Sequence, residues 1–107
     1  MYAGGVIFGN GYPVSTGAFQ STYSGGVIEG DLIGHDIAIF KFSPDGASRL
    51  YATYLGGNGN EQPHSMIVDK NGNLIVAGRS SSTNFPTIDL PIGVGGGHDI
   101  FISKFNA

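Results

Sequence analysis

The sequence predicts an all-β chain, on three observations. Hydrophobic residues recur with period two along most of its length, which sends successive side chains to opposite faces of a strand. Glycine makes up 19 of 107 residues, a density that suits tight turns and closely approaching sheets. In a helix each would cost roughly 1 kcal/mol relative to alanine. Third, the chain nearly spells one phrase twice. GHDIAIFKF at Gly34–Phe42 returns as GHDIFISKF at Gly97–Phe105, with seven of nine letters identical.

The elements follow in order. MYAGGVIF opens with strand character near Tyr2–Phe8. The stretch Ser15–Tyr23 is the best amphipathic window, but Gly17 and its β-formers make it irregular structure instead of helix. Asp36–Ser43 is a strand with two apolar faces, Ile37 and Ile39 on one and Ala38, Phe40 and Phe42 on the other, as expected of a strand covered on both sides. In Ser43–Gly46, Pro44 is pre-set for the second position of a turn and Asp45-Gly46 completes it. Arg49–Leu55 is rich in aromatic and β-branched residues and reads as a strand, followed by the loop Gly56–Asn60. His64–Asp69 and Leu74–Ser80 are strands joined at Asn71-Gly72, a strong hairpin signal because both residues tolerate positive φ. A polar loop closed by Pro86 and a glycine-rich run lead to the last strand, Asp99–Phe105.

The repetition extends beyond the opening phrase. GGVIFGNGYP (Gly4–Pro13) parallels AGRSSSTNFP (Ala77–Pro86) at an offset of 73 residues, against 63 for the GHDI phrase. The first copy therefore carries about ten more residues in its loop, within Ala18–Ile33, where a repeat protein tolerates insertion. Short strands recurring at about 60 residues, four to a unit, are the pattern of a β-propeller blade. The expected fold is antiparallel four-stranded blades, about two in this chain with one or both incomplete. In chain order the first unit supplies the strands near Tyr2–Phe8, at Asp36–Ser43 and at Arg49–Leu55, and the second supplies His64–Asp69, Leu74–Ser80 and Asp99–Phe105. A four-stranded unit would run through Arg49–Leu55, His64–Asp69, Leu74–Ser80 and Asp99–Phe105, or a permutation of them. The expected division is residues 1–46 as a first, partial blade with a long loop at about 17–33, and residues 47–107 as a second, with no separate domains.

The segment LYATYLGGNGNEQPHSMIVDKNGNLIVAGRSSSTNFPT resembles the SBBP-type β-propeller repeat of bacterial cell-surface and secreted proteins. The resemblance rests on YLGG (Tyr54–Gly57), IVDKNGNLIVAG (Ile67–Gly78), NFPT (Asn84–Thr87) and DIFISKF (Asp99–Phe105). In two partial copies it covers nearly the whole chain. STGAFQSTYSGG looks like the family's link into the next strand, while the long loop Gly17–Ile33 and the looser EQPHS depart from its pattern. The resemblance implies radially arranged repeats, an extracellular or cell-surface bacterial protein, and no common catalytic activity.

Composition narrows the partners. The net charge is −3, and the five basic residues, Lys41, Arg49, Lys70, Arg79 and Lys104, are scattered. A nucleic-acid surface needs them clustered, and an acidic membrane surface is disfavoured for the same reason. The absence of cysteine removes disulfides and thiolate metal sites. No apolar run approaches the ~18 residues of a membrane-spanning helix, and no signal peptide is visible. MYAGGV reads as the middle of a strand and SKFNA as the end of one, so both ends look cut from something longer. Two blades cannot close a ring, since propellers typically have about 4–8 blades. Three or four copies, or the remaining blades of a larger protein, would complete it.

Several residues are candidates for chemistry. His35-Asp36 and His98-Asp99 hold equivalent places. Adjacent strand residues point to opposite faces, so each pair reads first as a strand-entry device, although histidines from several blades can converge on a ligand. Ser81 and Asn84 sit in a hydroxyl- and amide-rich loop suited to sugars, with Phe85 or Tyr12 as stacking faces. Asp69, Asn71 and Asn73 have the one-three-five spacing of a calcium loop. The rest of that motif is missing, with Gly72 at position four and Ser80 at position twelve. A hairpin turn accounts for these residues, and no cofactor is expected. GVGGGHD lacks the Lys-Ser/Thr of a phosphate cradle, and Glu29 and Asp31 have no identifiable partner. The function expected is a non-enzymatic structural or interaction scaffold. The alternatives are a ligand- or carbohydrate-binding surface, and part of a propeller-type hydrolase or lyase with its site shared among blades.

Overall fold

The computed structural model describes residues 1–26, 34–86 and 99–106. Six strands are present: β1 (Tyr2–Ile7), β2 (Asp36–Phe42), β3 (Arg49–Leu55), β4 (Glu61–Val68), β5 (Leu74–Ser80) and β6 (Asp99–Phe105). They form two three-stranded antiparallel sheets, β1-β2-β3 and β4-β5-β6. Among the described residues no helix is long and apolar enough to cross a membrane.

Strand positions match the expectation except for β4, which begins at Glu61 instead of His64. An irregularity between Pro63 and Ser65 explains the obscured start. It lets Pro63 sit in an edge strand and breaks the period-two pattern there. The three-and-three grouping of strands is the one observed, whereas the four-stranded unit beginning at Arg49–Leu55 is not. β3, assigned by sequence to the unit 47–107, is hydrogen-bonded to β2, with Tyr54 opposite Ala38 and Thr53 opposite Ile39. The sheets therefore divide in the Gly56–Asn60 loop, not at 46/47. The turn Ser43–Gly46 is the reason. The Gly46 N–H donates to the Ser43 carbonyl (2.9 Å) and Ser43 N–H to the Ser48 carbonyl (2.8 Å), and Gly46 has φ +74°. This tight reversal leaves β3 beside β2, whereas the β3–β4 connection carries no such hairpin.

The second hairpin also differs from its sequence reading. Gly72 has φ +84°, but among the described residues no non-glycine has positive φ, so Asn71 keeps an ordinary conformation. Gly72 N–H donates to the Asp69 carbonyl (3.0 Å), and Asp69 N–H to that of Asn73 (2.9 Å). This is a three-residue loop with one left-handed glycine at its end.

The sequence repeat is also a register repeat. In the first sheet Gly5 faces Ala38, Val6 faces Ile37 and Ile7 faces Asp36. In the second Gly78 faces Phe101, Arg79 faces Ile100 and Ser80 faces Asp99. β1 and β5 are thus equivalent, as are β2 and β6. The main core lies between the sheets, where Ile37, Ile39 and Leu55 meet Leu74, Val76 and Phe101. On the far side of the first sheet Tyr12, Ala38, Ala52 and Tyr54 form a second cluster, flanked by Ile7, Val14, Tyr23 and Phe40. Toward its start β2 is covered on both faces, the Ile37 and Ile39 side by the second sheet and the Ala38 side by the loop around Tyr12, while Phe40 and Phe42 stay half-buried.

That loop also shields the outer edge of β3. Ser15 N–H donates to the Ala52 carbonyl (3.0 Å), Tyr54 N–H to the Gln20 carbonyl (3.1 Å) and Ala52 N–H to Ser15 Oγ (2.7 Å). It thereby satisfies backbone groups that an edge strand would otherwise leave open.

Candidate functional site

Most sequence candidates on the described residues fall at the junction of the two sheets, and their polar groups are engaged there. Asp36 opens β2 with its side chain buried. Its Oδ2 accepts the Ser24 N–H (2.8 Å) and a Gln20 Nε2–H (3.3 Å), in keeping with a strand-entry role. His35 precedes it, with its N–H on Asn60 Oδ1 (3.1 Å) and its ring against Phe8 at 5.3 Å. His98 lies outside the described residues, as do Glu29 and Asp31.

The serine-rich loop holds its neighbour. Ser81 Oγ accepts the Asn60 N–H (2.8 Å), Ser82 Oγ that of Gly59 (2.8 Å) and Asn84 Oδ1 that of Asn58 (2.7 Å). Asn58 reciprocates, donating to Thr83 Oγ1 (2.8 Å) and accepting from Thr83 N–H (2.9 Å). Gly57 and Gly59 are required for this closeness. A Cβ on Gly57 would lie 2.5 Å from Asn84 Oδ1, and one on Gly59 2.5 Å from the Ser81–Ser82 backbone. The hydroxyls and amides read from sequence as sugar contacts therefore tie Gly56–Asn60 to the end of β5.

The two stacking candidates occupy equivalent places and both pack inward. Phe85 lies against Phe101 at 4.6 Å. Tyr12 is buried, edge-on to Phe40 at 4.9 Å and to Tyr54 at 5.3 Å, and its hydroxyl donates to the Ile39 carbonyl (2.8 Å). Burial holds the Tyr12 phenol well above its ordinary pKa. A buried ring has no face to offer a sugar, so Tyr12 is a core residue.

Asp69, Asn71 and Asn73 come together as a turn. Asp69 Oδ1 accepts the N–H groups of Asn71 (2.9 Å) and Asn73 (3.0 Å). Oδ2 accepts from Asn73 Nδ2 (2.9 Å) and lies 3.2 Å from Lys104 Nζ. These donors, the Asn73 side chain foremost, hold the Asp69 carboxyl well below the usual range. Its oxygens face hydrogen-bond donors and an ammonium group, a surrounding that suits a hairpin clamp. Among the described residues no three His, Asp or Glu side chains gather as a metal site.

Sequence reasoning missed the partner of Asp36. Glu61, the first residue of β4, is fully buried. Its Oε1 accepts from Ser80 Oγ (2.7 Å) and from Ser82 Oγ, and its Oε2 from Gly57 N–H (3.2 Å). Gly56 sits between the two acids. A Cβ there would lie 2.5 Å from Asp36 Oδ1 and 2.6 Å from Glu61 Oε2. Among the described residues Asp36 Oδ1 has no hydrogen-bond partner. Burial, opposed by the Ser24 hydrogen bond and reinforced by the Glu61 charge, pushes the Asp36 carboxyl up to about 6. A buried carboxyl whose pKa is raised, in part by a neighbouring acid, is familiar from acid–base catalysis. Here both acids are sealed under Gly56, where β2 and β4 begin. The only sequence signal was an acid directly following the glycine-rich loop, and it carried no spacing rule.

A family model described as a β-propeller repeat, SBBP, matches residues 50–86, from within β3 through β4 and β5 to the Phe85-Pro86 wedge. No curated protein and no solved structure matches the chain. The match and the repeated strand register lead to one conclusion: residues 50–86 are similar to the SBBP β-propeller repeat.

Proposed function

We propose that this chain is a structural or interaction segment of an exported bacterial protein, one that contributes sheets to a longer array of the same repeat. The observation that supports this most is a difference between equivalent positions. Ile37 and Ile39 are 0% exposed, whereas their counterparts Ile100 and Ile102 are 80% and 73% exposed. The first pair is covered by the next sheet. The second pair is the same surface with nothing over it, and solvent-facing apolar clusters of this kind mark interaction sites.

Register supplies the finer expectation of four strands per blade. β3 covers the edge of β2, and the equivalent edge of β6 has no strand among the described residues. β4 covers the edge of β5, and the equivalent edge of β1 is likewise without one. A complete blade then has the order β4-β5-β6 plus a copy of β3. Export and a bacterial source rest on the family resemblance.

The test is to append, directly after Phe105, a second copy of residues 43–106. This supplies the turn and β3 in phase, then one further sheet. The extended protein should melt at higher temperature than the original while binding no more hydrophobic dye per chain, because the added sheet covers Ile100 and Ile102 and exposes one equivalent pair of its own. An extension that melts no higher, or that binds more dye, would count against the repeat reading.

A further inference from the structure

The open side of the second sheet has a defined composition. Pairing places Ile67 opposite Ile75, and Ile75, Ala77 and Arg79 opposite Lys104, Ile102 and Ile100. Ile67, Ile100 and Ile102 are all strongly exposed, and with Ile75 and Ala77 of β5 between them they form an apolar band across three strands, with Arg79 and Lys104 at its margins. The opposite end of the molecule carries the complementary type of surface. On the far side of the first sheet, Ala3, Phe40 and Phe42 occupy the positions that Val76, Ser103 and Phe105 occupy on the side of the second sheet that covers Ile37 and Ile39. Tyr12 stands there in the place of Phe85. Ala3 is exposed, and Phe40 and Phe42 are half-buried.

One end of the chain thus presents the receiving surface of the internal sheet–sheet interface, and the other end presents the inserting one. We infer that a second copy of this chain docks head to tail, with the Ala3/Phe40/Phe42 side of its first sheet on the Ile67/Ile100/Ile102 band of the second. This rests on the repeat reading above and names the partner. The contact would continue the existing interface by the same rotation that relates the two sheets. Being heterologous, it would propagate until the rotation closes a ring.

The experiment is light scattering on the full chain over a range of concentrations. The wild type should show a mass above one chain that rises with concentration. Ile100→Asp/Ile102→Asp should remain a single chain with unchanged circular dichroism, because both side chains already face water within one chain. Ile100→Thr/Ile102→Thr, which keeps β-branched residues in β6, should associate more weakly and serves if the charged variant fails to fold. Ala3→Asp, at the other end, should also be a single chain. Mixing Ala3→Asp with Ile100→Asp/Ile102→Asp leaves one intact surface on each, and should give a one-to-one dimer and nothing larger. A wild type that stays one chain at every concentration overturns the inference. So does association that survives the loss of both isoleucines, or a mixture that does not dimerise. If the extended protein described above is stabilised while the wild type stays monomeric, only the second-copy partner is lost. If the extension gives no stabilisation, the repeat reading itself fails.

Discussion

Gly78 shows how closely a single residue can be prescribed. A Cβ there would strike the Gln62 carbonyl oxygen and come within 2.9 Å of the Phe101 ring. One neighbour is backbone and the other is wedged against Phe85, so neither can yield. Gly78→Ala should lower stability by about 2 kcal/mol or more, as overpacking does, and chemical denaturation would measure it. Asp36 makes a prediction of a different kind. Its carboxyl is raised from 3.8 to about 6 in the folded chain, so the folded state holds a proton that the unfolded state releases. That contribution is complete below pH 3.8 and is lost as pH rises through 6. Asp69 works in the opposite sense, since its lowered value contributes above the ordinary carboxylate range and is lost in acid. Between about pH 4 and 6 stability should therefore fall as pH rises. Asp36→Asn, uncharged with Glu61, His35 and Tyr23 nearby, should flatten this slope and leave the variant more stable than the wild type at pH 7. Thermal melts across the range would show it, and an unchanged slope would remove Asp36 as the cause.

At the scale of elements, β2 and β6 separate what sequence can state from what it cannot. The shared phrase correctly placed both strands and their alternation. It could not say that Ile37 and Ile39 would be sealed while Ile100 and Ile102 faced solvent, because burial depends on the neighbouring sheet and not on the strand. Ile39→Ala should therefore cost about 2–5 kcal/mol, as for a core side chain. Ile102→Ala, at the equivalent position, should stay within about 0.5 kcal/mol. Equal costs would contradict the packing. The turns were legible for a related reason: Gly46 and Gly72 are local devices whose chemistry is written in the residues themselves. Asn71 is the exception, since a hairpin with one positive-φ residue and a hairpin with two share the same letters. Among the candidate site residues, Asp69, Asn71 and Asn73 form a turn held by hydrogen bonds that are local in sequence. Tyr12, Ser81 and Asn84 were read as surface because their partners lie about 20 to 40 residues away along the chain.

For the molecule as a whole, the repeat was legible and its boundaries were not. Counting strands gives a unit, but only pairing shows where a sheet stops, and the division fell inside the stretch that the family match covers. Residues 50–86 contribute β3 to the first sheet and β4 and β5 to the second. The unit of inheritance and the unit of folding are therefore out of phase. A duplication of this segment would not add a self-contained module. It would add the closing strand of one sheet and the opening strands of the next, so each new copy would be obliged to finish its predecessor's sheet. An array grown in this way is sewn together by its own connectivity, and a copy lost from the middle leaves two ends that still match.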